Sequence, residues 1–490
     1  MELRKFRTVM ILNRGEIACR LIQACQELGL RAVAVYSDAD RGARHTELAD
    51  VAVGIGGTSP QESYLHLEKL LRVAREQRVD AVHPGYGFLS ERAPAAEAFL
   101  EAGIQWIGPR PESILLLGDK LEAKKVLQKH DIPTAPWGEV DLRDGKGLRK
   151  LAHEIGFPVL LKAASGGGGK GMRLVHDDRD LEEAAHAAAR EAASAFGNAT
   201  LLLEKYLHEP RHVEVQILGD RTGSVTHFGE RECSLQRRHQ KVIEEAPAHW
   251  LSEDTRKAMC DAATRLASAV GYENAGTVEF LVDKNENFYF LEVNSRLQVE
   301  HSVTEAVWGV DLVKAQILIA EGFTLQEIFP ERPPPRGHAI QARIYAEDAA
   351  RGFAPCPGPL ALVEWPTAVG VRVDTGVRSG SSITLDYDPM VAKMTVHAES
   401  RERAIEKMLW CLRHTVLLGT TTNVNYLQDI LQRAEVREGK TWVKFLEQKM
   451  GGWKDPAPET LLARHAELVA ASGAGAGVKS ARTPSPWEAL

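Results

Sequence analysis

A chain of 490 residues with 44% hydrophobic and 26% charged residues has ordinary globular composition and is too long for one core, so two to four domains are expected. Its net charge of −7, with seventeen neutral histidines, offers no basic excess for nucleic acid and points to a small substrate. Six cysteines (Cys19, Cys25, Cys233, Cys260, Cys356, Cys411) form no C-x-x-C pair, which argues against a disulfide framework or zinc ribbon and fits a reducing cytoplasm.

The N-terminal apolar stretch is only about five residues long before Asn13, against roughly 18 for a membrane span, so neither a signal peptide nor a transmembrane helix is expected. Apolar runs at 9–12, 32–36, 79–83 and 104–107 alternate with helical patterns such as 64–77, the rhythm of parallel βαβ units in a doubly wound α/β layer. The first turn, Asn13-Arg14-Gly15-Glu16-Ile17, lacks the G-x-G-x-x-G that brings a pyrophosphate to a helix start, and no dinucleotide site is expected there.

From about Asp119 chemistry-bearing residues become denser. A strand expected at 158–162 leads into a glycine-rich tip at 165–171 and a returning strand through Met172-Arg173-Leu174-Val175. The tip is not a P-loop: Ala164 stands where the first glycine belongs, Gly171 where Ser or Thr would bind magnesium, and no helix follows. Its bare backbone suits folding over phosphates, with Lys162 and Lys170 supplying charge, though a merely flexible hairpin has the same composition. His208-Glu209-Pro210-Arg211-His212 matches H-E-x-x-H, but Pro210 breaks the helix a zinc site needs, and Val213-Glu214-Val215-Gln216-Ile217 alternates as a strand.

The segment 276–294 reads as an antiparallel hairpin around the turn Asp283-Lys284-Asn285-Glu286-Asn287. Symmetry about Asn285 and Glu286 puts Glu279 opposite Glu292, with Cβ atoms about 5 Å apart, so a positive charge should sit between them. Asn294 shares their face, and the three offer an all-oxygen set for magnesium. The same parity continues through Arg296, Gln298 and Glu300, although a solvated edge strand would look similar. Further on, Pro333-Pro334-Pro335 marks a linker, and short strands and turns at 337–346, 370–375 and 387–396 suggest a mixed α+β domain ending near Met450. The last forty residues, Ala/Gly/Pro-rich with a faint helical pattern at 459–471, read as a flexible tail or truncated linker.

Four spaced motifs now carry a resemblance: His83-Pro84-Gly85-Tyr86-Gly87-Phe88-Leu89-Ser90-Glu91, the tip at 165–171, Gln236-Arg237-Arg238-His239-Gln240-Lys241, and the segment 292–301. Together, over about residues 3 to 448, they resemble biotin carboxylase of the ATP-grasp superfamily. The implied fold is α/β and α+β multidomain. A Rossmann-like doubly wound domain takes 1–118, an ATP-grasp domain with a mobile lid at about 134–206 takes 119–330, a mixed α+β domain takes 331–450, and the tail follows from 451.

The resemblance implies that Lys120, Lys162, Gly168, Gly169, His212 and His239 contact ATP, with Glu204, Lys205 and Leu207 at the adenine and Glu279 and Glu292 reaching the phosphates through metal. Glu279, Glu292 and Asn294 would bind Mg2+ or Mn2+. Lys241, Arg296, Gln298 and the Val299 backbone would hold bicarbonate, Glu300 would take its proton, and Arg343 with Tyr86 would meet biotin. Lys170 stands where many relatives have Arg, which keeps charge but removes a bidentate fork. No Ala-Met-Lys-Met biotin-attachment sequence occurs, so a biotin carboxyl carrier protein or domain is implied, with a carboxyltransferase subunit and a homodimer or larger complex as further partners. Arg372-Val373-Asp374-Thr375-Gly376-Val377 and Tyr387-Asp388-Pro389-Met390 resemble acyl-CoA carboxylase α subunits, whereas 292–296 also resembles pyruvate carboxylase. The chain is expected to be a piece of a longer polypeptide if its tail is an interdomain joint. Another ATP-grasp ligase and a non-catalytic scaffold are the competing readings.

Overall fold

The computed structural model describes residues 3–164 and 172–455. The glycine-rich tip, with Gly168, Gly169 and Lys170, lies outside the described residues, as does everything from 456 onward. The first layer is a parallel sheet of β1 (Thr8–Ile11), β2 (Arg31–Tyr36), β3 (Val51–Gly54), β4 (Ala81–His83) and β5 (Gln105–Trp106), in the order β3-β2-β1-β4-β5. Successive β1 side chains leave opposite faces. Val9 and Ile11 pack with the helix Gly15–Glu27 and with the helices His301–Trp308 and Leu312–Glu321, while Met10 and Leu12 join Leu70, Val73 and Phe99 on the other side. Burial on both faces makes these strands continuous apolar runs. The exception is β3, whose alternating half-exposed pattern hid it from the sequence reading.

A second, small sheet contains β6 (Trp137–Glu139), β7 (Val159–Ala163), β8 (Arg173–Val175) and β9 (Leu201–Lys205), in the order β6-β9-β7-β8. The expected hairpin flanking the glycine-rich tip is present, with β7 and β8 antiparallel. The helices Gly145–Ile155 and Leu181–Phe196 cover it with a core of Leu and Ala.

The third sheet has eight strands. β10 (Arg211–Gly219), β11 (Val225–Arg237), β12 (Gln240–Ala246), β13 (Asn274–Val282), β14 (Phe288–Asn294) and β15 (His338–Tyr345) are joined by Met390–Ala398 and Val371–Thr375, in the order β14-β13-β10-β11-β12-β15 and then those two. The proline segment carries no regular structure, yet β15 beyond it pairs antiparallel with β12, so the sheet continues across the expected boundary at 330/331. Within residues 451–455, expected to begin a tail, Trp453 is anchored: its ring meets Tyr426 edge-on, and its indole N–H donates to Asp429 at 2.7 Å. Among the described residues no helix is long and apolar enough to cross a membrane.

Candidate active site

Alternation in β10 builds the site. Val213, Val215 and Ile217 face a core shared with the helix Glu253–Ala269, which directs His212, Glu214 and Gln216 to the opposite face. Glu279 of β13 pairs with Glu214 on one side and with Glu292 of β14 on the other, as the hairpin reading expected. The route there differs. The turn half closes one residue shorter, with Val282 opposite Phe288, and a β-bulge that leaves Leu291 unpaired restores the Glu279–Glu292 register.

Of the two facing acids it is Glu279 that a positive charge reaches: Lys241 Nζ donates to Glu279 Oε1 at 2.9 Å, to Glu300 Oε1 at 2.6 Å and to Glu214, a cluster of acids other than the expected Glu279–Glu292 pair. Burial would lower the lysine pKa, but the three carboxylates hold it well above its usual range. His212 Nε2 stands 3.0 Å from Glu279 Oε2; against burial, that carboxylate raises the imidazole pKa. Against burial, these neighbours keep Glu279 ionised, whereas Glu292, solvent-accessible at the cleft, is raised by the protein packed around it and by Glu279. Two facing acids, one of them short of cationic partners, with the Asn294 side chain next on the same face, fit a hard divalent cation. Asn294 Nδ2 donates to Glu279 at 2.9 Å, and Asn294 Oδ1 accepts from Arg296 at 2.7 Å. Close His/Cys/acid groupings among the described residues also include His212, Glu214 and Glu279.

A cleft of about 590 Å3 connects these acids to the small sheet. At its far end Glu204 of β9 accepts from Lys162 and from Lys124, the latter at 2.9 Å. Lys120 lies between this group and Glu292, its pKa lowered by burial. Leu207 and Lys205 line the same end, but the Lys205 ammonium is committed to the Gly156 and Phe157 carbonyls at 2.7 and 3.0 Å. His239 reaches the cleft from the two-residue turn between β11 and β12, where Arg238 and His239 both have positive φ, a conformation usually given to Asn-Gly.

β14 ends at Asn294, so the parity expected through 300 is not carried by a strand; residues 295–300 form a non-strand segment with turns before the helix His301–Trp308. Arg296, Gln298, Val299 and Glu300 nevertheless line the cleft. Glu300, 2% exposed, accepts from Lys241 through one oxygen and from Arg343 Nη2 through the other at 2.9 Å. Burial would raise its pKa, but Lys241, Arg343 and Arg231 hold it far below the carboxylate range. Arg343 on β15 also donates Nε to Glu244 of β12 at 2.6 Å.

Tyr86 is the predicted site residue set apart: it does not line this cleft, and its ring lies 5.7 Å from the ammonium of Lys393. The turn carrying it is fixed by Asn13 Nδ2, which donates to the Pro84 and Tyr86 carbonyls at 2.7 and 2.8 Å. Gly85 has φ +66, and a Cβ there would meet Asn13 at 3.0 Å. Glu91, from the same motif, anchors the other segment by accepting from Ser295 N at 3.1 Å and Arg296 Nε at 2.9 Å.

Sequence reasoning missed Lys124, Glu214, Arg231 and Glu244. Arg231 is fully buried and directs its guanidinium to Glu214, Gln216, Thr304, Thr277 and Gln298. The available signal was polar residues at alternate positions of otherwise apolar strands. The H-E-x-x-H histidines do not share a helix: His208 is exposed before β10 and His212 is buried within it.

Three family models match: the biotin carboxylase N-terminal domain over 5–114, the ATP-binding domain of the carbamoyl-phosphate synthase L chain over 119–328, and the biotin carboxylase C-terminal domain over 341–448. The biotin carboxylase–βγ-ATP complex from Campylobacter jejuni is 42% identical, with TM-score 0.87, covering 91% of this chain and 99% of that one. The biotin carboxylase domain of Hydrogenobacter thermophilus 2-oxoglutarate carboxylase, solved with MgADP, ADP and bicarbonate, is 41% identical with TM-score 0.87, covering 93% and 99%. Among curated relatives, the mitochondrial propionyl-CoA carboxylase alpha chain of Sus scrofa is 44% identical over 90% of this chain and human mitochondrial pyruvate carboxylase 44% over 91%. The chain spans 60% of the first and 38% of the second. With three matched models in the family's order and a near-complete superposition on solved members, the chain belongs to the biotin carboxylase family.

Proposed function

We propose that this chain carboxylates biotin with bicarbonate at the expense of ATP. The observation that carries the reading is Glu300, a buried carboxylate gripped by Lys241 and Arg343 on the same wall as the facing acids Glu279 and Glu292. One cleft thereby joins a base, cations for a small planar anion and a divalent-cation site.

Lys241, Arg296, Gln298 and the Val299 main chain receive bicarbonate. As the anion draws Lys241 and Arg343 toward itself, Glu300 loses the charges that suppress its basicity and accepts the bicarbonate proton. The freed oxygen attacks the γ-phosphorus of ATP, the bond to the β,γ-bridging oxygen breaks, and ADP and carboxyphosphate result. Lys120, Lys162 and His239 neutralise and position the phosphates, while Glu204, Lys205 and Leu207 flank the adenine. Magnesium or manganese, held by Glu279, Glu292 and Asn294, would neutralise phosphate charge when bound. Carboxyphosphate breaks to carbon dioxide and phosphate, the phosphate takes the ureido proton of biotin, and the ureido nitrogen attacks carbon dioxide. Arg343 stabilises the ureido oxygen, and Tyr86 packs near the biotin ring.

The small sheet and the glycine-rich tip act as a lid that excludes water from carboxyphosphate. Biotin arrives on a carrier protein or domain, consistent with the lack of Ala-Met-Lys-Met, a carboxyltransferase completes the reaction, and the working unit is a homodimer or larger complex. The final acceptor is an acyl-CoA, with pyruvate the alternative that the similarity to pyruvate carboxylase favours. Six cysteines without a disulfide support a reducing compartment, for which we propose the cytoplasm.

The test is ADP release by the purified chain with ATP, magnesium and bicarbonate, with and without free biotin, beside Glu300→Gln. Stimulation by biotin, lost in the variant, is expected. Release that ignores biotin, or survives Glu300→Gln, overturns the assignment.

A further inference from the structure

Lys393 lies in the strand Met390–Ala398 and is 0% exposed. An ammonium so deeply buried is costly unless paired, and its partners are unusual. The nearest carboxylates, Glu16 and Asp374, are 3.6 and 3.9 Å away, and Asp374 is already engaged by Arg372 at 3.0 Å. The short contact is instead to a neutral group: Nζ donates to the main-chain carbonyl of Val299 at 2.8 Å, across 94 residues of sequence.

That carbonyl belongs to the peptide unit whose nitrogen is Glu300's. Residues 295–300 lie outside any strand, so their carbonyls are held by individual local or side-chain donors rather than by a ladder. Gln298's accepts from His301 N and Nδ1 at 3.3 and 2.7 Å, Leu297's from Arg296 at 3.2 Å, and Val299's from Lys393. The Val299–Glu300 peptide plane sets where the Glu300 side chain departs toward Lys241 and Arg343.

We propose that Lys393 is a positioning residue for Glu300, acting through the Val299 carbonyl without touching the reactants. The Glu16 and Asp374 carboxyl groups flank the ammonium, and the ammonium fixes the peptide plane of the base. The role deepens the function proposed above and rests on Glu300 being the base.

Lys393→Met removes charge and donors at similar length, and Lys393→Gln restores donors without charge. For Lys393→Met, kcat for biotin-stimulated ADP release is expected to fall about a hundredfold, the scale of a small misplacement of a catalytic group, while KM for ATP stays within about twofold. Lys393→Gln should recover about tenfold of that loss. In the ligand-free protein, hydrogen exchange at the Glu300 and His301 amides should accelerate about tenfold in Lys393→Met. A kcat within about twofold of wild type, a parallel rise in KM for ATP, no recovery in Lys393→Gln, or unchanged exchange overturns the role. If Lys393→Met does not fold, Lys393→Gln is read for the same split between kcat and KM and the same exchange. If wild type shows no biotin-stimulated release, the proposed function fails by itself, and the exchange comparison still decides whether Lys393 orders this peptide.

Discussion

Glu204 offers a stability test with its own pH signature. It is 7% exposed and accepts from Lys162 and Lys124. Burial pushes its pKa up, but the two ammonium groups pull harder and bring it from 4.5 to about 2. At about 1.4 kcal/mol per tenfold change in proton affinity, this amounts to about 3 kcal/mol of stability at neutral pH. In Glu204→Gln one amide oxygen can accept from one lysine, and the amide N–H groups then face the other. Because the folded pKa is depressed, the contribution is complete above the unfolded value of 4.5 and is lost as pH falls toward 2. Urea unfolding should find Glu204→Gln about 3 kcal/mol less stable at about pH 7 and about pH 5.5, with the gap narrowing to about 2 kcal/mol at about pH 3.5. A gap under about 0.5 kcal/mol at neutral pH, or one that does not shrink in acid, refutes the reasoning.

Two further outcomes are expected. Arg231→Lys keeps the charge but replaces a five-donor fork with three donors, so KM for bicarbonate should rise about tenfold with KM for ATP unchanged; steady-state kinetics with each substrate varied checks this, and parallel rises would count against it. Glu292→Gln removes a hard anionic ligand, and the magnesium concentration for half-maximal ADP release should rise at least about tenfold; an unchanged magnesium titration would place the cation elsewhere.

Much of the site was legible because its side chains sit on strands, where period-two alternation assigns faces. Glu279, Glu292 and Asn294 were placed on adjoining strands of one face that way, although the bulge at Leu291 that sets their register left no mark in the sequence. The alternation that dismissed the H-E-x-x-H match also placed Glu214 beside His212, but one acid in a strand says nothing until its neighbours across the sheet are known. Arg231 was harder to see, since β11 slips register after Glu232 and its polar residues lose their clean period. Of the fold, the parallel layer was readable from its apolar runs, apart from the four-residue β3. The pairing of β12 with β15 was not, because it joins segments about a hundred residues apart and the proline run between them reads locally as a boundary.

That pairing limits how this enzyme can be cut and recombined. A module boundary drawn at the prolines would bare β12 as an edge from Ile243 to Ala246 and leave Glu244 and Glu300 without Arg343, so the half carrying the facing acids would lose a wall of the cleft. Chimaeras with relatives should tolerate exchange of the parallel layer, whose last strand ends at Trp106, more readily than exchange at 331. In this architecture the eight-stranded sheet is the piece to be exchanged whole.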